Sequence, residues 1–187
     1  GYVSLTMVGK CPKCGVWGSM EEEAPITMTK EGIPPDVKAA SPLRGLDVEE
    51  QERVSSGIAE LDRVLGGGWV PGGVVLLGGE PGVGKSTLLL EVAARWAAAG
   101  RPTLYVTAEE SAAQVRVRAD RTGALADQLY LAAENDLATI LGHVEALSPS
   151  LLVLDSVQTV VTAAAEGVAG GVTQVREVTN ALVQTAK

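Results

Sequence analysis

The stretch GGVVLLGGEPGVGKSTLLLEVAARW, residues 72–96, decides the fold. It opens on a short apolar run rich in β-branched residues and bounded by glycines (72–79), which predicts a buried strand. It closes on a helical pattern in which Leu89, Val92, Ala93 and Trp96 share one face, with Gly100 as the stop. Between the two lies a loop in which Gly79, Gly84, Lys85 and Ser86 fit G-x-x-x-x-G-K-[ST]. A glycine-rich turn can also bind nothing; the strand-loop-helix setting is what gives the match its meaning.

That loop has a specific chemistry. Gly79, Glu80, Pro81, Gly82, Val83, Gly84, Lys85, Ser86 and Thr87 form a cradle whose backbone N–H groups turn inward around a phosphate, and the helix N-terminus adds its dipole. Lys85 neutralises the β- and γ-phosphates of ATP, or the β-phosphate of ADP, and the Ser86 hydroxyl suits Mg²⁺, a cation that seeks oxygen ligands.

Hydrolysis needs two further acids. LLVLD (151–155) is four apolar residues followed by Asp155 at a strand's C-terminal end, the place for a carboxylate on the magnesium side. A strand at 102–108 ends on Glu109 and Glu110, at the sheet edge where open α/β folds assemble their sites. Adjacent residues at a strand end point differently. Glu109 is the predicted base and Glu110 a carboxylate favoured by the next helix's N-terminus; both being solvated helix-start acids is the plainer alternative.

Around this core the alternation continues: a polar helix through Arg121, a strand at 128–133, a helix from Asp136 to about Leu147, the 151–155 strand, and a helix in QVREVTNALVQTAK (174–187). Strands alternating with helices predict an α/β fold, a parallel sheet covered by helices. The 187 residues, 46% hydrophobic, suffice for one sizeable core and a small appendage. Residues 1–20 hold the chain's two cysteines, Cys11 and Cys14, in a Cys-Pro-Lys-Cys-Gly knuckle. Residues 21–45 read as a linker, with an acidic run, four prolines and no apolar period, and 46–187 as the α/β domain. The formal net charge of −8 argues against a passive basic clamp for nucleic acid or membrane. No apolar run approaches the roughly 18 residues of a membrane span, and no secretory leader pattern opens the chain, so a cytoplasmic protein is expected. The knuckle is half of a four-ligand zinc site; a thioredoxin-like redox pair is the alternative, weakened because no βαβ unit surrounds it.

SSGIAELDRVLGGGWVPGGVVLLGGEPGVGKSTLLLEVA (55–93), LYVTAEES (104–111) and LLVLDSVQT (151–159) together resemble the RecA-type P-loop ATPases, and within them the RadA (Sms) family of bacterial DNA-repair ATPases. The likeness covers nearly the whole chain. It implies nucleotide contacts for Arg118 and Arg121, which follow TAEES at the family's spacing. It also implies a four-cysteine zinc finger of which Cys11 and Cys14 are the second pair, the first pair falling just upstream of Gly1. On that comparison the chain is a piece of a longer protein, and the family's Lys-Asn-Arg-Phe-Gly motif and Lon-protease-like domain lie beyond Lys187. This piece alone is then expected to hydrolyse ATP slowly and to associate weakly.

The same resemblance makes 159–177 the first of the loops facing a DNA channel, with Gly167, Gly170, Gly171 and Arg176 as candidate contacts. Arg176 is the sole cation there, so backbone and shape share the holding; a mobile connector is the alternative. Implied partners are single-stranded or branched DNA, a RecA-like recombinase and further copies in a hexameric ring, with DNA-stimulated branch migration or helicase action in recombinational repair. The competing function is a KaiC-like or regulatory nucleotide switch that docks a protein and not DNA. Trp69, ahead of the phosphate loop, is expected to pack in the core.

Overall fold

The computed structural model describes residues 52–187 together with Val16, Pro42 and Arg44. The chain divides into two compact units, Gly1–Val48 and Glu49–Lys187. The Cys11/Cys14 knuckle, and the 21–45 linker apart from Pro42 and Arg44, lie outside the described residues.

Within the second unit the elements run α1 (Ala59–Val64), α2 (Lys85–Ala98), β1 (Thr103–Thr107), α3 (Ala112–Thr122), β2 (Leu129–Ala133), α4 (Leu137–Leu147), β3 (Leu151–Asp155) and α5 (Val172–Thr185), with a 3-10 turn at Val157–Thr159. Local chemistry sets several boundaries. Ser111 opens α3 with a capping box, its side chain accepting from the Gln114 N–H while the Gln114 side chain reaches back to the Ser111 N–H. Asp136 opens α4 by accepting from the Thr139 N–H at 2.9 Å. Gly123, at φ +68°, ends α3 in the left-handed conformation that glycine adopts without a Cβ clash.

The three strands form one parallel sheet in the order β2-β1-β3. The register pairs Thr103 with Leu129 and Leu151 at one end, and Thr107 with Ala133 and Asp155 at the other. Side chains alternate across a sheet, and the packing follows. Tyr105 and Val153 join Leu90, Ala93 and Ala94 of α2 and Val115 and Ala119 of α3 on one face. Leu104 and Val106 join Leu137 and Ile140 of α4 and Val178 of α5 on the other. The central strand β1 is buried at all five positions, as a strand with neighbours on both edges and helices on both faces must be. Burying one aliphatic side chain of this size stabilises by about 1.5–3 kcal/mol. Trp96 packs on the α2 face and gives its indole N–H to Ser150 Oγ at 3.0 Å, satisfying the polar end of an otherwise apolar ring. The result is an α/β RecA-like core with a helix-flanked parallel sheet.

Two expectations are corrected. Residues 72–79 are not a strand: Gly72 belongs to a turn, the residues after it carry no regular secondary structure, Leu76 is 83% exposed, and no backbone–backbone hydrogen bond ties 74–83 to another element among the described residues. The apolar pattern is local, whereas a strand exists only where a neighbour supplies the ladder, and β3 pairs here with β1 alone. Arg176 does not stand in a loop. Helix α5 begins at Val172, immediately after Gly171 as N-cap, so the glycine-rich segment ends there and Arg176 is an exposed residue on the helix. Trp69 is half-buried, its backbone bridged to Val54.

Candidate active site

The phosphate loop leads directly into α2. Gly84 is the helix N-cap at φ +93°, and Gly82 is at φ +80°, both in the region that a side chain resists. Two glycines at those positions let the backbone curl so that its N–H groups converge. Lys85, the first residue of α2, donates from Nζ to the carbonyls of Gly79 at 2.9 Å and Glu80 at 2.7 Å. The loop's cation is thus held over the loop's own turn, among carbonyls that an incoming phosphate would replace as partners.

The acids assemble through the sheet. Because Thr107 and Asp155 are register partners, β1 and β3 finish level with one another, and the residues after each lie together. Glu109 accepts from Ser156 Oγ at 2.5 Å. Glu110 turns elsewhere: its backbone N–H bonds Thr107 Oγ1 at 3.0 Å, and its carboxylate pairs with Arg118 of α3 at 2.6 Å. The two adjacent glutamates therefore have different partners, as their positions at a strand end predict.

Asp155 has a partner that the sequence did not announce. Tyr105 is fully buried, and its hydroxyl donates to Asp155 Oδ2 at 2.8 Å. Burial, reinforced by the hydrogen bond to the carboxylate, pushes the phenol far above its ordinary value, so it remains a protonated donor. Asp155 Oδ1 makes no hydrogen bond among the described residues, and neither does Ser86 Oγ. A hydroxyl and a carboxylate oxygen, both unclaimed, are the hard donors that magnesium takes while keeping several waters. The residues fit that ion. Among the described residues no group of three or more His, Cys, Asp or Glu side chains could hold a metal by itself.

Arg118 and Arg121 occupy different settings. Arg118 is committed to Glu110, with Nε and Nη2 buried and without partners, whereas Arg121 is exposed near the end of α3. No hydrogen bond ties either arginine to residues 79–87. Beyond the 3-10 turn, Gly167 and Gly170 take positive φ values of 106° and 76°. The segment is braced by Gln174, which is buried and bonds the Thr162 and Ala165 carbonyls and the Thr162 N–H. His143 is exposed on α4, away from any metal cluster among the described residues. No helix of the described residues is long and apolar enough to cross a membrane.

Sequence reasoning missed Tyr105 and Ser156. A signal for Ser156 was present, since a hydroxyl directly after the strand-end acid lies in reach of the neighbouring strand's end. The signal for Tyr105 depended on knowing the register.

Comparison with known proteins agrees with this geometry. A family model described as AAA domain matches residues 39–186, and one described as Rubredoxin metal binding domain matches residues 1–22. The whole chain is 50% identical to the DNA repair protein RadA of Mycolicibacterium smegmatis, covering 41% of it. It is 51% identical to that of Mycobacterium tuberculosis, covering 40%, and 41% identical to that of Halalkalibacterium halodurans, covering 42%. The chain thus spans about two fifths of the length of the curated relatives it matches. With a phosphate loop at the head of α2, strand-end acids level across a parallel sheet, and a model match over nearly all of that fold, the chain belongs to the AAA-domain family and resembles its RadA proteins.

Proposed function

We propose that this chain is the nucleotide-binding part of a RadA-type DNA-repair ATPase. The observation that carries the reading is the level ending of β1 and β3, which brings Glu109, Ser156 and Asp155 to one end of the sheet. In the mechanism, backbone N–H groups of residues 82–86 and the Lys85 ammonium hold the β- and γ-phosphates of ATP. Ser86 and Asp155 would hold magnesium, which when bound offsets phosphate charge. Glu109 orients the attacking water and accepts its proton, and Ser156 fixes the carboxylate that does so. Arg118 and Arg121 stand on α3 as candidate nucleotide contacts, Arg121 exposed and Arg118 paired with Glu110.

Cys11 and Cys14 are proposed zinc ligands. Two thiolates are the soft donors a structural zinc site uses, and the metal-binding model covers both. DNA, single-stranded or branched, is proposed to approach Gly167, Gly170 and Gly171, with Arg176 contributing its charge from the first turns of α5. That its relatives are DNA repair proteins supports that choice. Hexamer formation, partnership with a RecA-like recombinase, and branch migration or helicase action belong to the same reading of the whole protein.

Turnover of ATP by the whole protein, measured with and without single-stranded DNA, tests the proposal. Magnesium-dependent hydrolysis stimulated by DNA supports it. Nucleotide binding that DNA leaves unchanged, together with a captured protein partner, would transfer the chain to the regulatory-switch class.

A further inference from the structure

We propose that Tyr105 is a positioning residue for the site: its hydroxyl claims Asp155 Oδ2 and thereby presents Oδ1 to the magnesium shell. The inference rests on the nucleotide reading above and adds a residue to it. Tyr105 pairs in register with Val153, two residues before Asp155, and the period of two puts Tyr105, Val153 and Asp155 on the α2 face of the sheet. A tyrosine ring is long enough to reach a diagonal neighbour on that face, and here its hydroxyl lies 2.8 Å from Oδ2.

The chemistry separates this role from packing. The ring is 0% exposed and shares its cluster with Leu90, Val115 and Val153, a setting in which phenylalanine would pack equally well. A hydroxyl buried there must find an acceptor, and the acceptor is the metal-side carboxylate and not a backbone carbonyl. An ionised carboxylate has two oxygens that exchange places by rotation about its terminal bond. A donor fixed on Oδ2 removes that freedom and leaves Oδ1, which has no hydrogen bond among the described residues, facing a defined direction. Partners of this kind, one step behind a metal ligand, typically shift metal affinity by about 10-fold or more when removed.

The test uses the full chain with a fluorescent ATP analogue, titrated with magnesium chloride and, separately, in EDTA. For Tyr105→Phe the expected result is a magnesium midpoint raised about 10-fold, with affinity in EDTA within about twofold of wild type. Val115→Ala, which loosens the same cluster without touching Asp155, is the control; it should lower the melting temperature and leave the magnesium midpoint in place. An unchanged midpoint in Tyr105→Phe overturns the assignment, as does a loss shared equally by magnesium and EDTA conditions alongside a lowered melting temperature. A wild-type chain that binds the analogue without regard to magnesium removes the underlying reading and this assignment with it. That result is told apart from the others because it appears before any variant is made.

Discussion

Thr107 of β1 and Asp155 of β3 stand opposite one another in a parallel register, and the contact continues one step further, where the Ala108 N–H donates to the Asp155 carbonyl at 2.8 Å. The backbone itself therefore sets the level at which both strands release their chains. That level brings Glu109 and Ser156, just beyond the strand ends, within reach of one another, and the Ser156 hydroxyl donates to the Glu109 carboxylate.

Lys85→Ala is expected to lower affinity for a fluorescent ATP analogue by about 10- to 100-fold, the equivalent of losing charge-assisted bonds of about 1.5–3 kcal/mol. The melting temperature should stay within a few degrees, since the bonds from Nζ to Gly79 and Glu80 brace only the loop. Unchanged affinity would remove Lys85 from the site.

Glu109→Gln and Asp155→Asn are expected to separate binding from turnover. In the full-length protein Glu109→Gln should retain magnesium-dependent binding while turnover falls by about 10²- to 10⁴-fold, the usual contribution of a positioned base. Asp155→Asn should lose magnesium dependence as well. Equilibrium titration and steady-state turnover on the same preparations decide it; full turnover in Glu109→Gln would shift the base to Glu110.

Glu110→Ala is expected to destabilise the fold. It removes the partner of an arginine whose side chain is only 14% exposed and whose Nε and Nη2 already lack partners. Because Glu110 itself is partly in solvent, a cost of about 1–3 kcal/mol applies and not the full penalty of a deeply buried pair. Urea unfolding should show a lower midpoint at an unchanged slope, whereas an unaltered midpoint would show that the pair is neutral.

The acid limb of stability should carry the signature of Asp136. Its carboxyl lies below the usual aspartate range, first through the Thr139 N–H and then the Thr139 hydroxyl. A group depressed in the folded state contributes stability fully above its unfolded value, about 4, and loses it as pH falls through the lower folded value. Melting temperatures of wild type and Asp136→Asn, measured from pH 6 down to pH 2, should converge as the acid end is reached, because asparagine caps without titrating. Parallel curves would contradict this.

What the sequence made legible was local. The strands 103–107, 129–133 and 151–155 and helices α2, α3 and α4 follow from periodicity and capping residues that lie within each element. The identity of Lys85, Ser86 and Asp155 as candidates followed from motif and context. Residues 72–79 went astray because a strand is a property of two segments, and only one was visible in the pattern. Arg176 went astray because it was counted with the glycine-rich segment 159–177 although 174–187 reads as a helix, and α5 starts two residues earlier still, at Val172. Helix α1 is six residues long, and its entry is organised by Asp62, which accepts from Ser55 Oγ and the Ser56 N–H; a single aspartate among loop residues does not announce that role. Tyr105 looked like core and is core, with its second function hidden in a register that no single strand specifies.

The central place of β1 has an evolutionary corollary. Tyr105 feeds the cluster under α2 and α3, Leu104 and Val106 the cluster over α4 and α5, and the strand's end carries the approach to Glu109. A mutational step in this strand is felt by folding and by chemistry together. Along Thr103–Thr107, where every position is buried, there is little room to alter one and spare the other.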